Sequence, residues 1–206
     1  MARQTFGMYR FFRFLSWLVC VFVLRFEVRG AVNVPSSKGC ILASNHASYL
    51  DPMVIGSATR RNISYMARES LFKGVLNPFF RSLLAFPVKR GSADRGALRE
   101  TIRRLHSGMP VVVFPEGTRG LTLRRPQAGV GFLALKAQVP IVPVYIRGTG
   151  KALPRGAWVI RPHKVVVRFG EPFVIEKEMS NIEAAELIMR RIQDLRPFSG
   201  EKGEGE

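Results

Sequence analysis

Between residues 39 and 195, short unbroken apolar runs alternate with longer stretches in which apolar residues return every three or four positions. The first pattern predicts buried strands, the second helices with one face in a core. Gly39-Cys40-Ile41-Leu42-Ala43-Ser44 reads as a short buried strand. Asp51-Pro52 reads as a helix start, with Asp51 as N-cap and Pro52 at the first helical position, where its missing N–H is not needed. That helix is expected to run to about Thr59. Ser92 is expected to cap a second helix over Ala93–Ser107, in which Leu98, Ile102 and Leu105 share a face and which Gly108 stops. Val111-Val112-Val113-Phe114 predicts a strand covered on both sides. Gly129–Gln138 reads as a helix ended by Pro140, and Ile141–Ile146 as a strand whose Pro143 predicts an edge position or an irregularity. Val165–Phe169 reads as a strand. Ser180-Asn181-Ile182-Glu183 has the form of a capping box, ahead of a helix burying Ala185, Ile188, Ile192 and Leu195. The alternation predicts a single α/β domain with a central, largely parallel or mixed sheet flanked by helices.

The N-terminus departs from this rhythm. Phe14 to Leu24 is an uncharged apolar run of 11 residues, or 16 if Phe11 to Phe26 is counted with Arg13 and Arg25 snorkelling outward. A helix needs about 20 apolar residues to cross a bilayer. Arg3, Arg10 and Arg13 precede the run, and Arg25 and Arg29 follow it. This bracket predicts a helix lying in the membrane interface with its arginines at lipid phosphates; a short span and a buried core helix are the alternatives. No small-x-small site follows Leu24, which argues against a cleaved signal peptide. The expected organisation is a membrane-associated helical segment over 1–27, an α/β domain over 28–198, and a disordered polar tail over 199–206.

Composition narrows the partner. The 206 residues are 47% hydrophobic, enough for one domain with its own core. Against 15 Asp+Glu stand 32 Lys+Arg, for a net charge of +17. Arginine dominates, and its planar donor fork suits phosphate and carboxylate. The partner is therefore expected to be anionic: nucleic acid, an acidic lipid surface or a phosphorylated small molecule. No nucleic-acid-binding motif or basic-aromatic platform supports the first. Cys20 and Cys40 fit neither a disulfide framework nor a metal spacing and read as packing residues. With three histidines and no Cys/His cluster, no metal site is expected.

Two stretches carry candidate chemistry. In Asn45-His46-Ala47-Ser48-Tyr49-Leu50-Asp51 a histidine and a carboxylate stand five residues apart, just after an apolar run. A histidine titrates near neutrality and can accept an alcohol proton. A carboxylate on its other nitrogen fixes the tautomer and stabilises the imidazolium. Asp51 as a mere cap and His46 as a strand-end residue is the competing reading. Ser48 offers a hydrolase alternative, but no G-x-S-x-G elbow surrounds it. The second stretch, Phe114-Pro115-Glu116-Gly117-Thr118-Arg119-Gly120, turns out of a predicted strand. Ligands bind beyond the carboxyl ends of strands in such sheets, and Arg119 can hold a phosphate. Glu116 can bond a polyol hydroxyl or hold Arg119 in place.

The two stretches resemble the signature blocks of the glycerolipid acyltransferases. NHASYLD resembles that family's NH-x-x-x-x-D block and FPEGTRG its FPEGTRS-like block. Met66-Ala67-Arg68-Glu69-Ser70-Leu71-Phe72 with Pro87-Val88-Lys89-Arg90 resembles the block between them, and Val139-Pro140-Ile141-Val142-Pro143-Val144 the last. All four stand in the family's order. The resemblance implies transfer of a fatty acyl group from acyl-CoA or acyl carrier protein to a lysophospholipid hydroxyl, with 1-acyl-glycerol-3-phosphate as the default acceptor and a lyso-ornithine lipid or another lysophospholipid as the alternative. It implies His46 as general base and Asp51 as its partner. Arg119, Arg90 and Arg68 would bind the acceptor phosphate, and Glu116, Gly117 and Thr118 would shape the acceptor site. No metal and no cofactor beyond the thioester co-substrate is implied. The implied setting is the cytoplasmic face of the membrane, with the phospholipid surface, the lysophospholipid, the acyl thioester and acyl carrier protein as partners, and no nucleic acid. Arg68 stands where many members carry a lysine, Gly120 where a serine is usual, Lys89 where an aspartate is common, and Arg124-Arg125-Pro126-Gln127 where Phe-Lys often occurs. These departures bear on the acceptor more than on the reaction.

Overall fold

The apolar runs form strands. A computed structural model describes residues 2–73, 77–89, 94–120 and 125–196. Its strands are β1 (Glu27–Arg29), β2 (Ile41–Ser44), β3 (Ser64–Arg68), β4 (Ala85–Val88), β5 (Val111–Val113), β6 (Ile141–Arg147) and β7 (Val166–Phe169). Its helices are α1 (Ala2–Phe22), α2 (Asp51–Ala58), α3 (Asn77–Ser82), α4 (Arg95–His106), α5 (Ala128–Ala137), α6 (Thr149–Ala152) and α7 (Asn181–Gln193). The strands make one mixed sheet in the order β1-β7-β6-β2-β5-β3-β4. β6, β2, β5, β3 and β4 run parallel; β7 is antiparallel to β6 and carries β1 with it. The chain is thus a single α/β domain, as its alternating pattern predicts. The tail over 199–206 lies outside the described residues.

Successive side chains of a strand point to opposite faces, and here both faces are covered. Leu42, Val112 and Val142 pack with Cys20, Leu24, Val54 and Ile55 on the side of α1 and α2. Ile41, Ala43, Val111 and Val113 pack with Val130, Leu133, Ile188 and Ile192 on the side of α5 and α7. That is why β2 and β5 read as unbroken apolar runs. α5 and α7 meet closely at Gly131, where a Cβ would collide with the Asn181 carbonyl.

Three local expectations are corrected. α4 begins at Arg95 behind Asp94, whose Oδ1 accepts the Gly96 and Ala97 N–H groups at 3.0 Å. Aspartate caps as well as serine and stands next to the helix; the expected cap, Ser92, lies outside the described residues. α2 is preceded by Leu50, and Asp51 is its first residue rather than its cap. β6 is interior, not an edge. Pro143 is tolerated there because its carbonyl accepts Gly170 N–H at 2.9 Å, so its nitrogen faces the β7 side at a register past Phe169, where β7 has ended. The capping box of Ser180 and Glu183 is present as expected.

α1 is fastened to the domain. Tyr9, Cys20 and Leu24 are buried, the Tyr9 hydroxyl accepts Ile63 N–H at 3.1 Å, and Arg13 donates to the Arg60 carbonyl at 3.0 Å. Phe11, Phe14, Trp17 and Phe22 are exposed. No described helix is long and apolar enough to cross a membrane. Burial pushes the thiol of Cys20 up to about 11 and that of Cys40 up to about 12, so both free cysteines are protonated packing residues.

Glu100 organises the joint between α4 and the β3–β4 edge. Its Oε1 accepts from Arg103 at 2.7 Å and Arg104 at 2.6 Å, and Arg104 reaches on to Ser64 Oγ and the Leu84 carbonyl. The Arg103 bond, seconded by Arg104, holds the Glu100 carboxyl down at about 2. A lowered folded-state pKa stabilises above the unfolded value, near 4.5, and that stability drains away as pH falls toward 2. Glu100→Gln should therefore cost roughly 1 kcal/mol at neutral pH, after screening of the exposed Arg103. The gap between variant and wild type should close in acid; urea denaturation across that range checks it.

Candidate active site

β2 and β5 are parallel neighbours in register, with Ala43 beside Val113. Their chains therefore leave the carboxyl edge of the sheet side by side, which brings together two stretches 70 residues apart. The loops are bonded to each other: Gly120 N–H donates to the His46 carbonyl at 2.8 Å, and His46 N–H to Glu116 Oε1 at 3.2 Å. Asn45 anchors the first loop on its far side. Its amide donates to the Ile146 carbonyl at 2.9 Å and accepts Ile146 N–H at 2.7 Å, extending the β2 pairing with β6 as a peptide would.

The His46 side chain is set by three neighbours. Its ring stacks on Phe114 with centroids 3.9 Å apart and planes 16° from parallel. Its Nδ1 lies 2.8 Å from Asp51 Oδ2. The fully buried Asp51 also accepts Ala47 N–H at 2.7 Å and Ser48 N–H at 2.8 Å on that same oxygen. Proline at position 52 opens α2 there, so Asp51 sits in a first helical turn, where the helix dipole favours an anion. With the carboxylate ionised, Nδ1 carries the proton and Nε2 keeps its lone pair. His46 is only 8% exposed but lines a cavity. Ser48, the hydrolase alternative, donates its hydroxyl to the Leu153 carbonyl at 3.0 Å and accepts Leu50 N–H. That hydroxyl is committed to holding the loop.

The cavity measures about 1180 Å³, beyond the usual ~300–1,000 Å³ of small-molecule sites. Phe12, Met53, Tyr65, Phe80, Leu83 and Leu98 supply apolar wall, while Arg68, Lys89, Arg95, Arg99 and Arg119 supply positive charge. The lining is amphipathic in the way a lipid with an anionic headgroup is. The Arg119 guanidinium carbon lies over Tyr49, 3.5 Å from the ring centroid. Arg68 stands exposed at the end of β3. Gly117 lines the cavity with φ at +65°, and a Cβ there would run into the Gln127 side chain.

The cavity wall thus brings together His46, Arg68, Gly117 and Arg119. Asp51 and Glu116 are buried, and the Glu116 carboxylate holds the His46 backbone. Thr118 is half-buried in the turn. Arg90 lies outside the described residues. Sequence reasoning assigned no role to Asn45, Tyr49 or Phe114, although all three stand inside the two motifs. Arg95 and Arg99, on the exposed side of α4, also line the cavity.

A histidine braced by a buried aspartate, at the carboxyl edge of a parallel sheet and opening on a basic, apolar-walled cavity, defines an α/β enzyme equipped to activate a hydroxyl beside a lipid-sized pocket. The comparisons make the class specific. The chain belongs to the Acyltransferase family, whose model matches residues 25–147, more than half its length. It is an O-acyltransferase. It is 30% identical over 189 residues to a 1-acyl-sn-glycerol-3-phosphate acyltransferase of Pseudomonas aeruginosa, covering 86% of this chain and 70% of that one. It is 32% identical over 143 residues to the human 1-acyl-sn-glycerol-3-phosphate acyltransferase beta, covering 63% of this chain and 50% of that one. Among solved structures it is similar to the 1-acyl-sn-glycerophosphate (LPA) acyltransferase PlsC of Thermotoga maritima. There the TM-score is 0.76 at 27% identity, over 93% of this chain and 81% of that one.

Proposed function

We propose that the chain transfers a fatty acyl group from an acyl thioester, acyl-CoA or acyl carrier protein, to the free hydroxyl of a lysophospholipid at a membrane surface, with 1-acyl-glycerol-3-phosphate as acceptor and phosphatidic acid as product. The observation that carries this reading is the 2.8 Å contact of His46 Nδ1 with Asp51 Oδ2 on a ring that lines the amphipathic cavity. The relatives' names supply the acceptor.

The steps follow from the residues. His46 Nε2 takes the acceptor's hydroxyl proton as that oxygen attacks the thioester carbonyl. Asp51 stabilises the imidazolium through Nδ1–H. The tetrahedral intermediate collapses, the C–S bond breaks, and the thiol leaves with the proton held on Nε2. An ester and a free thiol result, and the enzyme returns to its starting state. Arg119, with Arg68 and Arg90, binds the phosphate, and Glu116, Gly117 and Thr118 keep the turn in shape. The exposed apolar face of α1 lies in the membrane interface on the cytoplasmic side, with the exposed Arg10 at lipid phosphates.

The test is an assay of purified protein with labelled acyl-CoA and acyl carrier protein against a panel of lysolipids, products identified by mass. Acylation of a lysophospholipid supports the reading; a folded protein that acylates none of the panel sinks it. Within that assay, Arg119→Ala should raise the acceptor KM about 10–100-fold, the value of a charge-assisted hydrogen bond. The thioester KM should hold. An unchanged acceptor KM removes Arg119 from the phosphate site.

A further inference from the structure

The chemistry above uses the loops after β2 and β5 and leaves unexplained the neighbouring loop between α6 and β7, Pro154 to Lys164. That loop is pinned at both ends. Leu153 accepts the Ser48 hydroxyl at 3.0 Å, Arg161 N–H donates to the Ala152 carbonyl at 2.8 Å, and Val165 N–H donates to the Leu24 carbonyl at 2.9 Å. Leu153 and Ile160 pack against the core. Its tip does the opposite. Trp158 is 97% exposed and Val159 is 74% exposed, although burying such side chains is favourable. Around this tip the chain is basic: Lys151, Arg155, Arg161 and Lys164 fall within 151–164, which holds no Asp or Glu. Lys164 pairs with Glu27 at 3.1 Å.

We propose that the Trp158–Val159 tip is a second lipid-contacting element, which enters the headgroup region of an anionic membrane while Lys151, Arg155 and Arg161 meet the lipid phosphates. Charge complementarity selects this partner. An indole is amphipathic and settles at the membrane–water interface. Each basic residue near an anionic bilayer adds to the attraction. The core of a protein–protein interface is instead depleted of lysine. Position supports the same partner. The loop is bonded on one side to the catalytic loop through Ser48, and on the other to the end of α1, two residues beyond the exposed Phe22. A tip seated in lipid therefore holds the cavity mouth, with Tyr49 and Arg119, at the surface from which a lysolipid must come. Stable membrane attachment takes two weak signals rather than one, and α1 with this tip provides two.

The chain has two tryptophans, so Trp17→Phe makes Trp158 its sole reporter. Vesicles of mixed phosphatidylglycerol and phosphatidylcholine should shift its emission to the blue, and brominated acyl chains should quench it. The Trp158→Ser, Val159→Ser double variant should partition onto those vesicles at least tenfold more weakly, with unchanged circular dichroism. Its turnover of a short-chain lysolipid dispersed in water should match wild type, which separates this proposal from the acyl-transfer reading. Three results would overturn it. Trp158 emission could stay fixed while the chain sediments with vesicles. Pure phosphatidylcholine, or a DNA oligonucleotide, could give the same shift as anionic lipid. The shift could instead follow protein concentration without lipid, which assigns the tip to a second copy of the chain.

Discussion

Replacing His46 with alanine should lower kcat about 10²–10⁴-fold, the range a positioned general base supplies, and leave the fold in place. The expectation of an intact fold comes from Asp51. Losing the imidazole removes one of the partners of Asp51 Oδ2, but the Ala47 and Ser48 N–H groups remain on that oxygen. Oδ2 therefore keeps two donors, and the cost is the lost Nδ1 bond, the Phe114 stack and a small void. His46→Asn sharpens the test. Its side-chain N–H can replace Nδ1–H toward Asp51, yet it offers no basic nitrogen to the cavity. It should be as slow as alanine and more stable. Initial rates with thermal denaturation on both variants check this; an asparagine variant within tenfold of wild type would dismiss His46 as base.

How much of this was legible beforehand depends on the range over which each signal acts. The capping box at Ser180, the period of α4 and the apolar runs of β2 and β5 all report on residues close in sequence, and each was readable. The meeting of His46 with Glu116 and Phe114 rests on β2 lying beside β5, and no local pattern specifies strand order. The motifs showed which groups could act together, while the sheet explains why they meet. Pro143 shows the same divide: the missing N–H was visible, but that β7 stops short of it was not. α1 was read as a leader distinct from the body because its composition is distinct. In the structure Tyr9 and Arg13 bond it to the segment between α2 and β3, contacts between residues some 50 positions apart. Asp51 is a subtler case. The reading as a cap correctly placed an acid at a helix start, but the same oxygen turns back to gather the His46 loop.

That oxygen sets the second large expectation. Asp51→Asn keeps the size of the side chain and should still lower kcat about 10³–10⁴-fold, as when the acid behind a catalytic histidine is amidated and the wrong tautomer results. At wild-type Asp51, one oxygen accepts from His46, Ala47 and Ser48 together, and three donors on one atom demand an anion. An asparagine has to choose. If its carbonyl stays with the two backbone N–H groups, no charge remains to stabilise the imidazolium. If its amide turns to the ring, it donates to Nδ1, the ring proton moves to Nε2, and the nitrogen facing the cavity can no longer accept. Both arrangements disable the base while Tyr49, Arg119 and the cavity wall stay as they are, so the acceptor KM should change little as kcat collapses. The split between the two constants is the diagnostic. A loss appearing mainly in KM would mean that Asp51 only shapes the loop, and the pair with His46 would be structural rather than catalytic.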